Sequence, residues 1–350
     1  GPARDGGRGG SPAPARLATG QRRSPRGGGA AREGPRSRFA RAADPRPARQ
    51  WQESVPRAVL GPLVDLSVRG WYGYRVALDL DFERPDSVGF SAVVQPHGLR
   101  LDSLATRLDV LRLSAPFTAA IHLPRDRIVT RELSPANPHF RTLTTIDSLI
   151  ANAVVTNEDG GFYRHRGFNT EAVKSSIADN VKAGAYRRGA GTITMQLVRN
   201  LFLGHQRTLS RNGQEVVLAS VPENLTALPN ARRVWVYLNI LEWGPEIHGA
   251  DEATHYYFGH DAGRVTVDEA LFLATVVPAP TRWRNRLDAA GALRPFARAQ
   301  MHFIGRAMVA KGRLSPELLP PADSLRIELK GPAREILFPP TEAHADSSTI

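Results

Sequence analysis

Glu158-Asp159-Gly160-Gly161-Phe162-Tyr163-Arg164-His165-Arg166-Gly167-Phe168-Asn169 is the stretch around which the rest of this 350-residue chain is organised. Two adjacent carboxylates cannot both stay ionised easily away from water, so burial would raise the pKa of one into the range of a general base. Taken alone, the same pair also fits a solvated acidic turn. The segments on either side decide between these interpretations.

The flanking segments predict helices. Apolar residues at helical spacing form one stripe that runs up to Glu158: Ile146, Leu149, Ile150, Val154 and Val155. Asn169 or Thr170 predicts the start of a second helix that ends at Gly184, and a third runs from residue 192 to 203. A capping box at residues 266–269 begins a helix that a proline stops at 278, and another helix spans 295–310. The sequence therefore predicts a mainly α domain over residues 141–318.

Residues 51–140 have a different pattern. Short runs alternate between apolar and polar side chains and are broken by turn residues such as Pro96-His97-Gly98, which predicts antiparallel strands. We expect a small β-rich accessory domain here, so the chain as a whole is predicted to be α+β. Residues 1–50 are rich in Arg, Gly and Pro and predict a disordered tail, while residues 319–350 predict a loose C-terminal tail.

The net charge of +12 is concentrated at the start of the chain. Residues 1–50 hold 12 arginines against Asp5, Glu33 and Asp44, a net of +9. This segment could attract an anionic lipid surface or serve as an inert linker, and without an aromatic and basic platform it does not predict nucleic-acid binding. Zero cysteines exclude a disulfide framework. The sequence has no apolar run long enough to span a bilayer and does not begin with Met, so we expect any membrane anchor to lie outside this chain.

Further motifs follow the first stretch in order: Gly189-Ala190-Gly191-Thr192-Ile193-Thr194-Met195-Gln196-Leu197, Arg207 with Arg211 and Glu215, Tyr237-Leu238-Asn239, and Glu242-Trp243-Gly244. Together they resemble the peptidoglycan glycosyltransferase family, which comprises the class A penicillin-binding proteins and the monofunctional biosynthetic transglycosylases. The resemblance covers roughly residues 141–318 and implies a lysozyme-like helical fold. It also implies polymerisation of lipid II into a growing glycan strand, with release of undecaprenyl pyrophosphate, at the outer face of a bacterial inner membrane.

The resemblance implies roles for individual residues. Glu158 would be the catalytic base, and Glu215 the second essential glutamate at the donor end. Asp159 would adjust the proton affinity of Glu158 and take part in substrate binding. The other expected substrate ligands are Thr192, Thr194, Gln196, Arg199, Asn200, Arg207 and Arg211. Of these, the three arginines are expected to bind the pyrophosphate because arginine offers a charged, bidentate donor.

A second group of residues is expected to shape the site: Phe162, His165, Gly167, Tyr237 and Asn239. No metal ligands are predicted, no cofactor is required, and a divalent cation (Mg²⁺ or Mn²⁺) at the pyrophosphate stays open. Expected partners are lipid II, the glycan strand, the membrane surface and proteins of cell-wall synthesis.

Several positions depart from the family pattern: Asn212 replaces a lysine, Gly213 and Pro222 weaken the predicted helix around Glu215, Trp235 replaces a glutamate, and Gly191 replaces a serine. They predict attenuated activity. Two alternatives stay open, namely a non-catalytic homologue that binds lipid II or glycan and a muramidase-like hydrolase. The arginines at 199, 207 and 211 speak against a hydrolase because a neutral glycan does not need them.

Overall fold

A computed structural model describes residues 36–104, 108–185, 187, 189–205, 209–226 and 228–339. Its N-terminal part is an antiparallel sheet in which the central strand pairs with both neighbours. The strands are β1 (Arg36–Pro47), β2 (Leu66–Asp81) and β3 (Gly89–Leu104), with the short helices α1 (Ala48–Ser54) and α2 (Arg57–Leu60) between the first two.

The prediction of a disordered tail over residues 1–50 is wrong for residues 36–50, which form β1 and the start of α1. The first strand has few apolar side chains, and its pairing comes from backbone hydrogen bonds to β2. Amino-acid composition alone does not reveal such bonds. The rest of the predicted tail lies outside the described residues.

A hairpin links this sheet to the helices. It consists of β4 (Phe117–Leu123) and β5 (Arg127–Leu133). Ala119, Ile121 and Leu123 alternate along β4 and are buried on one face. They belong to the same hydrophobic cluster as the helices that follow, so the hairpin and the helices share one core.

The described residues between 148 and 337 are mostly helical and include one small hairpin. The helices are α3 (Ser148–Asp159), α4 (Thr170–Lys182), α5 (Ile193–Val198), α6 (Leu209–Ser220) and α7 (Asn230–Ile240). The strands β6 (Glu242–Gly244) and β7 (Ile247–His248) follow, and then α8 (Ala250–Phe258), α9 (Val267–Val276), α10 (Pro295–Ala310) and α11 (Pro332–Leu337). None of the helices in the described ranges combines the length and the apolar character that a membrane crossing requires.

Capping side chains set several helix starts. Asn169 accepts a hydrogen bond from the backbone N–H of Ala172 at 3.0 Å and caps α4, and Thr192 accepts one from Met195 at 3.2 Å and caps α5. Thr266 and Glu269 form a reciprocal capping box at the start of α9. The helix starts expected at residues 170, 192 and 266 are thereby confirmed to within one residue.

The predicted loose tail over residues 319–350 is also corrected. Leu325, Leu329 and Ala333 are buried, and the backbone N–H of Lys330 donates to the carbonyl of Tyr257 at 3.0 Å. Three apolar side chains spaced four residues apart are too few to stand out in a proline-rich segment, yet they complete the core beside α8. Residues 340–350 lie outside the described residues.

Candidate active site

Glu158 is the penultimate residue of α3 and is held by two amides. Asn157 Nδ2 donates to Oε1 at 2.8 Å, and Gln196 Nε2 donates to Oε2 at 3.0 Å. Burial raises the pKa of Glu158, while the two amide hydrogen bonds and the charge of Arg199 oppose that rise. The carboxylate is thus oriented by donors and partly protected from water, as a general base should be.

The orientation of the Gln196 amide is itself determined. The hydroxyl of Tyr237, fully buried on α7, donates to Gln196 Oε1 at 2.9 Å. The oxygen of the amide therefore faces Tyr237, and its NH₂ group faces Glu158. On the other side, Asn157 Nδ2 also donates to the carbonyl of Ala274 at 3.0 Å. Both amides that hold the base are thus anchored to neighbouring helices.

Asp159 has a different role from the predicted one. Its side chain is almost fully buried and accepts hydrogen bonds from His165 Nε2 at 2.8 Å and from the backbone N–H of Ile193 at 3.2 Å. Of the groups that act on the pKa of Glu158, the charge of Asp159 is the smallest contributor. Consecutive helical residues point about 100° apart, so Asp159 faces the N-terminus of α5. There its carboxylate ties the 158–169 loop to the start of α5.

Thr192 and Thr194 were predicted as substrate ligands, but both side chains are buried and their hydroxyls form hydrogen bonds within the protein. The hydroxyl of Thr192 caps α5 and donates to the carbonyl of Gly167 at 2.9 Å. Thr194 is fully buried and donates to Glu223 Oε1 at 2.5 Å. Thr192 thus joins the 158–169 loop to α5, and Thr194 joins α5 to the segment that follows α6. Phe162 is buried beneath this loop, and Gly167 has φ +82° against Ala219 and Glu223, where a side chain would be strained.

A π-helical turn spans Arg199–Leu203 and contains Asn200. Gln196 and Asn200 would share a face on a regular α-helix, but the wider turn rotates the residues after 198. Asn200 Oδ1 is buried and has no hydrogen-bond partner among the described residues. Such π-turns have no clear signature in sequence.

Arg199 lies between the two glutamates. Its Nη1 is 3.6 Å from Glu215 Oε1, and its charge lowers the pKa of Glu158. Glu215 is buried and forms an ion pair with Arg211 four residues earlier on α6. Burial raises the pKa of Glu215, while Arg199 and Arg211 oppose the rise. The structure thus brings together Glu158, Gln196, Arg199, Arg211 and Glu215. Arg207 lies outside the described residues.

Sequence reasoning missed a buried ion pair between Glu223 and Arg233. Arg233 also lies over the ring of Phe162, 5.5 Å from its centroid. Because Glu223 accepts from Thr194 as well, the pair connects α7 with α5 and the 158–169 loop. An arginine directly before the apolar run of α7 was the available signal. A buried arginine needs an acidic partner, and Glu223 is the one it finds.

Two of the departures from the family pattern are accommodated. The α-helical part, α6, ends at Ser220, and the chain continues as a π-helical segment, Val221–Leu225, that contains Pro222. Trp235 is buried, and its indole N–H donates to the carbonyl of Arg141 at 2.7 Å. Asn239 donates to the same carbonyl at 3.0 Å and so ties α7 to the chain entering α3. Pro222 thus lies beyond the end of α6, in the segment where the α-helix changes to a π-helix.

One cluster elsewhere has groups that could hold a cation. The ligand atoms of His139, Asp251 and His255 lie within 4.8 Å of one another. Arg141 Nη2 is already 3.1 Å from Asp251 Oδ2, and its positive charge opposes a metal ion at that carboxylate. We regard this cluster as a structural ion-pair network.

A family model described as Transglycosylase matches residues 126–304, just over half of the chain, and the match contains every residue of the site described above. The chain belongs to the transglycosylase family. The predicted family and the predicted enzyme class, a glycosyltransferase, are thereby confirmed.

Individual relatives agree. The chain is similar to proteins named biosynthetic peptidoglycan transglycosylase from Acinetobacter baylyi (37% identity, 44% of this chain, 68% of that protein), Thiobacillus denitrificans (38%, 40% and 60%) and Pseudomonas aeruginosa (36%, 41% and 61%). The aligned part thus spans about two thirds of these relatives or less. No comparison favours a binding protein or a hydrolase.

Proposed function

We propose that this chain is a peptidoglycan glycosyltransferase that polymerises lipid II and releases undecaprenyl pyrophosphate. One observation carries the proposal: Arg199 lies between Glu158, a base held by two amides, and Glu215, which is paired with Arg211. Such an arrangement offers a proton acceptor at one end and cationic charge at the other. A glycosyl transfer to a hydroxyl with a pyrophosphate leaving group requires both.

In the proposed step, a hydroxyl of the acceptor sugar attacks the donor sugar carbon. The new C–O bond forms, and the bond from that carbon to the pyrophosphate oxygen breaks. Glu158 accepts the proton of the hydroxyl, and Arg199 and Arg211 stabilise the negative charge on the leaving group. Glu215 holds Arg211 in place through its ion pair. A divalent cation at the pyrophosphate, if one binds, would add charge stabilisation to the same group.

We place the enzyme at the cell envelope, on the outer face of the inner membrane where lipid II is available. The glycan strand and proteins of cell-wall synthesis would be its partners. The helical region is proposed to have the lysozyme-like fold. The sheet β1–β3 with α1 and α2 is proposed as the accessory unit. Its helix α2 contacts α6, since Gln214 on α6 donates to the carbonyl of Val59 at 2.7 Å.

The direct test is incubation of the purified chain with lipid II in detergent, followed by separation of the products on a gel. A ladder of glycan strands is the expected result. Unchanged lipid II that remains bound would instead indicate the binding protein, and shortening of preformed glycan would indicate the hydrolase.

A further inference from the structure

Beside the arginines lies a histidine to which the mechanism gives no role. His205 follows Gly204, whose φ of +75° ends the π-turn. The Nε2 atom of His205 is buried and has no hydrogen-bond partner among the described residues, and the same holds for Arg199 Nε. Buried donors and acceptors without partners are rare and call for an explanation, such as a ligand.

The β4–β5 hairpin positions the imidazole ring of His205. His205 forms a hydrogen bond to the backbone of His122 on β4, and Gly204 lies beside the His122 ring, where a Cβ would be 3.9 Å from Nδ1, an ordinary van der Waals contact. The neighbours of His122 on β4, Ala119 and Ile121, are buried in the shared core. The position of His205 is therefore determined by a segment that precedes the helical region.

The charges around His205 are mainly positive. Arg199 of the π-turn and Arg211 of α6 both act on it, with Glu215 paired to Arg211, and Arg112 from the segment before β4 acts on His122. Burial, with Arg199 and Arg211 contributing, lowers the pKa of His205 to about 4. Burial and Arg112 also lower the pKa of His122. Both rings are therefore neutral at neutral pH in the free protein.

A bound anion would favour the protonated form of His205 over the neutral form. A pyrophosphate group next to two arginines supplies two or more negative charges, and an opposite charge within a few ångströms favours the protonated imidazole. The ring would then take up one proton from solvent and become a charged donor through Nε2, the atom that has no partner in the free structure. Hydrogen bonds with a charged donor are about twice as strong as neutral ones.

We propose that His205, positioned by the β4–β5 hairpin through His122, is an additional ligand of the departing pyrophosphate and binds it with uptake of a proton. The proposal rests on the proposed function and extends it, since it gives the hairpin a part in the active site. The third positive charge of the anion site, on His205, would then form only when the leaving group is bound. Without the anion, the protein does not have to hold a third buried cation beside Arg199 and Arg211.

The test uses inorganic pyrophosphate and the whole chain, without any turnover. Titration calorimetry at pH 7 in two buffers of different ionisation enthalpy measures both the affinity and the number of protons taken up. The parent is expected to take up about one proton per pyrophosphate because His205 changes from neutral to charged. His205→Asn keeps a donor near the position of Nδ1 and removes Nε2, so it should lose the proton uptake and bind roughly tenfold more weakly.

Two further variants sharpen the comparison. His205→Gln offers a neutral donor further along the side chain and should recover part of the affinity without proton uptake. His97→Asn changes an exposed histidine on β3 and should behave as the parent. If His205→Asn binds pyrophosphate with the parent's affinity and proton uptake, the proposal is overturned. A parent that polymerises lipid II but binds no pyrophosphate also overturns it and leaves the proposed function intact. Proton-coupled binding without polymerisation would instead refute the proposed function alone.

Discussion

Replacing Gln196 with methionine should shift the pH dependence of catalysis without removing the base. The amide of Gln196 donates to Glu158 Oε2 at 3.0 Å, and this hydrogen bond favours the ionised carboxylate. Methionine has a similar length but no donor, so the ionised form loses support. The pKa of Glu158 should rise further, and the deprotonated base should form only at higher pH.

The size of the shift follows from the strength of the lost bond. A hydrogen bond to a charged group is worth about 1.5–3 kcal/mol, and about 1.4 kcal/mol corresponds to one pH unit. The acid limb of the pH–rate profile for lipid II polymerisation should therefore move up by roughly one to two pH units. At high pH the variant should recover most of the parent's rate.

A second substitution separates this effect from a loss of stability. Gln196→Met leaves the buried hydroxyl of Tyr237 without its acceptor, which costs about 1–3 kcal/mol of unfolding free energy. Adding Tyr237→Phe removes that hydroxyl, so the double variant should regain stability in urea unfolding and keep the shifted profile. Met195→Leu, a buried neighbour on α5, serves as the control and should leave the acid limb unchanged. An acid limb of Gln196→Met within about 0.3 pH units of the parent, much less than one lost hydrogen bond predicts, would refute the reasoning.

Three further predictions concern the frame of the site. Glu223→Gln should lower the free energy of unfolding by about 3–5 kcal/mol because it leaves Arg233 buried without its acidic partner; a loss below about 1 kcal/mol in denaturant unfolding would contradict this. Leu325→Ala should cost about 2–5 kcal/mol if the C-terminal segment is part of the core, whereas the exposed Leu318→Ala should change stability by no more than about 0.5 kcal/mol. Pro222→Ala should change the polymerisation rate by no more than about twofold, since the proline lies beyond the end of α6, which holds Glu215; a tenfold rise would restore the attenuation hypothesis.

Features that depend on neighbouring residues in sequence could be predicted. The caps at Asn169, Thr192 and Thr266 are local signals, and each helix begins where its cap predicted. Partners across the fold could not be predicted in the same way. Asp159 accepts a hydrogen bond from the start of α5, and Glu158 accepts one from Gln196. Both partners lie more than 30 positions later in the sequence, so the local sequence could not predict them.

The motifs indicated which residues are near the site but not which of them face the cleft. Thr194 and Gln196 are two positions apart in one motif, yet Thr194 donates into the protein and Gln196 to the base. The π-turn at residues 199–203 alters the helical register after Gln196, and no sequence pattern predicted it. The hairpin histidine His122 had no motif at all, and only the packing of β4 beside Gly204 brings it to the site.

The base assignment is the central claim, and the most direct test is the rate of lipid II polymerisation by Glu158→Gln. Glutamine keeps the shape of the side chain but cannot accept the proton, so the rate should fall about a hundredfold or more while the unfolding transition stays close to that of the parent. Glu171→Gln makes the same chemical change at an exposed position on α4 and should leave the rate unchanged. A Glu158→Gln rate within about threefold of the parent, far above what loss of a general base allows, would contradict the account.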